Sequence, residues 1–154
     1  MVRVTILFLA YFIFSNVHAG PDSVGTGLVS VKSEYDVEST ADRLEAVLLE
    51  KGMTVFARIN HAEAAWKIKK KLRPTQLVIF GNPKIGTLLM QCQQTAAIDL
   101  PQKALVWEDA QGDVWLSYND PSYIALRHGI EKCDGVIEKI RQALANFSGI
   151  ATTR

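Results

Sequence analysis

Histidine, cysteine and net charge are all scarce in this sequence, and each scarcity removes a class of function. Of the three histidines, His18 falls in an N-terminal apolar segment, which leaves His61 and His128. Neither belongs to an H-x-x-x-H or H-E-x-x-H pattern, the spacing that sets two imidazoles on one helix face around a metal. The two cysteines, Cys92 and Cys133, lack the C-x-x-C spacing of a redox site. The formal net charge is only +1. Arg3 lies in the N-terminal segment, so the basic side chains of the remainder just balance its 16 acidic ones. A surface without charge bias is a poor partner for nucleic acid or an anionic membrane. No repeat, low-complexity stretch or internal linker divides the chain.

A lysine is also missing where a nucleotide site would need it. In "IFGNPKIGTLLMQC", Gly81, Gly86 and Thr87 spell G-x-x-x-x-G-T without the lysine that neutralises β- and γ-phosphates. Pro83 removes one of the backbone N–H groups such a loop would offer. The local reading is simpler: Asn82 caps a helix, Pro83 fills its first position, and Ile85, Leu88, Leu89 and Cys92 form its buried face. The first turn, with Lys84 beside it, retains a capacity to attract a small anion.

What is present begins with an export signal. Residues 1–19, "MVRVTILFLAYFIFSNVHA", carry Arg3, an apolar core and a small-x-small ending at Ala19. The core is shorter than the roughly 20 residues a bilayer span needs. A cleaved signal peptide is expected, with a retained anchor as the alternative. Residues 20–26 read as a flexible leader and residues 27–150 as a single domain. The expected location is exported, in the periplasm. Two cysteines in an oxidising compartment favour a Cys92–Cys133 disulfide over two separately buried thiols, closing a loop of about 40 residues.

The pattern of elements predicts an α+β fold. "GLVSVKSEY" suits a first strand. Asp36 caps a helix with Val37, Ala41, Leu44 and Leu48 at helical spacing, and Gly52 stops it. "MTVFARI" is a second strand, and "HAEAAWKIKKKL" a short helix expected to bury Ala65, Ile68 and Leu72. "QLVIFG" is a third strand. "KALVWED" and "DVWLSYN" form a hairpin with Gly112 in the left-handed region. A last helix carries Cys133, Ile137, Ile140, Leu144 and Phe147 on one stripe. The order is strand, helix, four strands, helix, with short helices inserted and the long helices on one face of a largely antiparallel sheet.

The stretches "RINHAEAAWKIKKKLRPTQLVIFGNPKIGTLLMQC" and "AAIDLPQKALVWEDAQGDVWLSYNDPSYIALRHGI" resemble the domain-of-unknown-function family 302 (DUF302) over roughly residues 27 to 148. The resemblance implies a compact α+β domain with a TATA-binding-protein-like arrangement, often dimeric, and no established reaction. One departure is Leu88-Leu89, where the family commonly reads Pro-Leu after Gly-Thr. The likeness to the TATA-binding protein is one of shape and carries no DNA-binding function.

The remaining candidates are side chains near strand ends. On "KALVWED" the alternation sets Ala104, Val106 and Glu108 on one face, so a cation such as Lys103 or Arg127 is expected to hold Glu108 in an interior salt bridge that fixes the hairpin, with a carboxylate pair for acid–base work as the alternative. Lys67, Lys69, Lys70, Lys71 and Arg73 read as a solvated helix face. His61 and His128 suit capping and loop hydrogen bonds; with Asp99 or Glu108 they offer a metal or haem site instead. The expected function is an exported, non-catalytic domain that binds a small anionic or carbonyl-bearing ligand or a partner protein, as a homodimer. The alternative is a periplasmic enzyme or a haem- or metal-binding protein using His61 and His128. His61, Asn82, Lys84, Arg127 and His128 are expected to converge on one cleft. No cofactor is assigned.

Overall fold

The computed structural model describes residues 25–154, so the expected signal peptide and most of the leader lie outside the described residues. The first strand, β1 (Leu28–Lys32), leads through Asp36 into α1 (Val37–Glu50). Asp36 Oδ1 accepts from the Ser39 amide at 2.7 Å, as the capping pattern requires. Gly52, at φ +72°, turns the chain out of α1 in a conformation that other residues resist. There follow β2 (Thr54–Asn60), the short α2 (His61–Lys67), β3 (Thr75–Gly81) and α3 (Pro83–Cys92). A 3-10 turn (Gln94–Asp99) and the cis Leu100–Pro101 peptide lead to β4 (Gln102–Glu108). β4 and β5 (Val114–Asn119) make the hairpin, after which α4 (Pro121–His128) and α5 (Asp134–Thr152) complete the chain.

The sheet order is β1-β5-β4-β3-β2, antiparallel throughout. The fold is therefore α+β, with the expected succession of strand, helix, four strands and helix. Along β3 and β4 every second residue is buried: Gln76, Val78 and Phe80 on one, Gln102, Ala104 and Val106 on the other. These positions face α1 and α5, whose Leu44, Leu48, Leu144 and Phe147 complete the core. β2 is an edge strand with a bulge between Val55 and Ala57.

Four local expectations need correction. Leu88 of α3 is 44% exposed, so that helix buries Leu89, with Ile85 and Cys92 only partly covered. α2 stops at Lys67 and buries nothing: Trp66 is 76% and Ile68 70% exposed. Lys69, at φ +57°, breaks the helical run, so the spacing of Ile68 and Leu72 never becomes a face. α5 starts at Asp134, which places Cys133 just before the helix rather than on its apolar stripe. The hairpin is fixed by Asp109, not Glu108. Asp109, only 9% exposed, accepts from the amides of Gln111 and Asp113 and from the indole of Trp115 at 2.8 Å. Lys103 instead donates to the carbonyls of Asp99 and Pro101, and Arg127 pairs with Asp99. The Trp115 donation, then the two amides and nearby Lys32, hold the Asp109 carboxyl below its ordinary value despite its burial.

Candidate functional site

In an antiparallel sheet, successive strands end at opposite edges, and that rule sorts the candidate residues. Asn60 at the end of β2 pairs with Gln76 at the start of β3, while Gly81 at the end of β3 pairs with Thr54 at the start of β2. His61 therefore leaves one end of the sheet and Asn82 the other, about 20 Å apart at the rise of a seven-residue strand. The ends of β3 and β5 and the starts of β2 and β4 share the Asn82 end. His61 does not join the expected cleft, and its place on neighbouring strands is the reason. His61 also does not cap α2, since Asn60 accepts from the Glu63 amide at 2.9 Å.

Arg127 and His128 do come together. Both reach Asp99 from the last turn of α4, Arg127 Nη1 at 3.1 Å and His128 Nε2 at 2.6 Å. Thr95 Oγ1 lies 3.2 Å from His128 Nδ1. The cluster staples α4 to the 3-10 turn, which also receives the Lys103 ammonium on the Asp99 carbonyl. Among the described residues no hydrogen bond or ion pair links this cluster to Asn82 or Lys84. Likewise, no group of three or more His, Cys, Asp or Glu side chains among them is placed to hold a metal.

Asn82 performs the capping that its sequence context predicts, and the consequence for anions is negative. Its Oδ1 accepts from the Lys84 amide at 3.0 Å, and its carbonyl accepts from Ile85 and Gly86. Pro83 has no N–H to offer. The first turn of α3 thus has its donors committed, and Lys84 itself is exposed.

The concavity at this end runs along the inner side of α3, with Asn82 and Pro83 of its tip on the rim. A cavity of about 490 Å³ opens between α3, α5 and the sheet. Ile85, Gly86, Thr87 and Met90 of α3 form one wall, and Lys139, Ile140, Ala143, Leu144 and Phe147 of α5 another. Phe80, Gly81 and Gln102 form the sheet side, Met53 and Phe56 the β2 side, and Ala97, Leu100 and Pro101 the segment before β4. Asn82 is the one expected site residue on its lining. A disulfide between Cys92 and Cys133, with Cα atoms 6.4 Å apart, ties the end of α3 to the entry of α5 and so fixes two walls against each other.

Residues 29–147 match a family described as Domain of unknown function DUF302. The chain belongs to the DUF302 family. A crystal structure of an uncharacterized conserved DUF302 protein from Bacillus stearothermophilus has a TM-score of 0.74, covering 82% of this chain and 98% of that one. At 16% identity that likeness is one of fold. Two curated relatives are each 46% identical over 107 residues, 70% of this chain: proteins named Fluoride-specific ion channel FluC 1 from Brucella suis and from Brucella abortus. The chain spans only 42% and 40% of their lengths.

Two residues of this DUF302 cavity escaped the sequence. Gln102 sits one position before the stretch read as a strand, although extending the alternation of Ala104 and Val106 back by two places it on the buried face. Lys139 follows Glu138 on an exposed part of α5, and nothing local distinguishes it from any surface lysine.

Proposed function

We propose that this DUF302 chain is an exported, non-catalytic domain that binds a small ligand in the cavity between α3 and α5. The observation that carries the reading is the cavity itself: about 490 Å³, within the size range of ligand sites, and lined chiefly by apolar side chains. Among the described residues its lining includes no histidine, cysteine or carboxylate, the groups a hydrolytic or redox site would draw on. Asn82 and the adjacent Lys84 are the expected contacts nearest to it, and Arg127 and His128 belong to the same end of the fold. The disulfide supports an oxidising compartment such as the periplasm. A homodimer would use the sheet face opposite α1 and α5, where Leu77, Ile79, Leu105 and Trp107 are half-buried. No helix among the described residues is long and apolar enough to cross a membrane.

The test is uptake of an uncharged apolar fluorophore, N-phenyl-1-naphthylamine, by wild type and by Ala143→Phe, which sets a ring into the cavity. Uptake by the wild type that Ala143→Phe abolishes supports the reading. Equal uptake by both folded proteins places the fluorophore elsewhere and removes the reading. Native mass spectrometry of protein from its own host should show an added organic mass.

A further inference from the structure

We propose that the cavity ligand is an amphipathic monocarboxylate, with an apolar body against α3 and α5 and a carboxylate held by Gln102 and Lys139. This rests on the binding reading above and specifies its head group. Gln102 is 7% exposed, lines the cavity, and its Nε2 has no hydrogen-bond partner among the described residues. Buried donors are almost always paired, because leaving one unmade forfeits its hydration without return. A turn of the Gln102 amide about its terminal torsion brings this covered donor to the cavity, where a ligand acceptor supplies the partner that the fold does not.

The sign of the ligand follows from the charges on the lining. Among the described residues Lys139 is the one charged side chain on that lining, and it makes no ion pair with any of them. An acceptor without charge, such as an ester, satisfies Gln102 alone. An ammonium group satisfies neither and meets Lys139 with like charge. A carboxylate serves both, because it accepts from the amide and pairs with the ammonium. The first turn of α3 adds only its partial positive charge, since its amides are committed to Asn82. Phe80, Ile85, Met90, Leu144 and Phe147 offer the remainder of the ligand apolar surface.

Calorimetric titration of the folded, oxidised chain with decanoate, methyl decanoate and decylamine separates the head groups while holding the tail constant. Wild type is expected to bind decanoate at least about tenfold more tightly than decylamine, with the ester between them. Gln102→Leu should lose about tenfold for decanoate and leave decylamine unchanged. Lys139→Gln should narrow the gap between acid and ester a few-fold and flatten its dependence on salt. Gln102→Met, close in length and without a donor, repeats the measurement if the leucine variant does not fold. Equal affinity for the three probes in wild type overturns the proposal, as does undiminished decanoate binding by the Gln102 variants. Ester binding as tight as acid binding overturns it too and points to an esterified lipid. Equal binding of all three leaves the binding reading standing; failure of all three together with the fluorophore removes both.

Discussion

Two glutamines, Gln76 on β3 and Gln102 on β4, occupy matching positions in this fold and have opposite fates. Both lie on the sheet face covered by helices, at 5% and 7% exposure, near opposite ends of neighbouring strands. Gln76 Oε1 accepts from Arg58 Nε at 2.6 Å, and its Nε2 donates to Glu38 of α1. Arg58 in turn pairs with Glu38 at 2.9 Å and with Asp42. That network fastens the edge strand β2 to α1, and every polar atom of the Gln76 side chain is used. Gln102 has an unmatched Nε2 beside a cavity. Residue type and burial are the same, so neither separates an architectural amide from a recognition amide. What separates them is whether the fold itself completes the hydrogen bonds.

The contrast can be pressed from the outside inward. The largest effect should come from Cys133→Ser, because the cavity end is secured by a covalent tie where the other end relies on a polar network. Opening a loop of sequence separation 41 should lower unfolding free energy by about 4 kcal/mol in the chain-entropy model, read from urea unfolding midpoints. Next, Gln76→Leu should destabilise by about 1–3 kcal/mol, since it leaves Arg58 and Glu38 short of a partner. Gln102→Leu should show no loss, or a gain of up to about 1 kcal/mol, because it deletes a donor that has no partner. Equal losses in the two glutamine variants would erase the distinction between them. The smallest effect concerns pH. The Asp109 carboxyl is held below its ordinary value, so its contribution is complete above about pH 4 and fades as pH falls through its lower folded value. Asp109→Asn should therefore be less stable at neutral pH and lose less stability on acidification, measured by thermal unfolding across that range.

The architecture was legible where local chemistry leaves one solution. Asp36 and Asn82-Pro83 start their helices as their side chains dictate, and Gly112, at φ +83°, turns the hairpin. The site was less legible because it depends on pairing direction. The helix starts after β2 and β3 would share an end only if those strands ran parallel; in an antiparallel pair they are separated by a strand length. α2 misled for another reason: a helix that buries nothing has no packing to extend it, so apolar spacing past Lys67 had no consequence. Gln102 shows the limit most clearly. Its inward position was recoverable from alternation, but its missing partner exists only in three dimensions.

The bulge in β2 has an effect at the rim of the sheet. An edge strand exposes a ladder of unpaired amides and carbonyls that invites another chain to add itself. Here the register shift between Val55 and Ala57 interrupts that ladder, and Arg58 next to it is anchored to α1. The opposite rim, β1, is only five residues long and ends in Lys32. Both margins are thus poor templates for fibril growth.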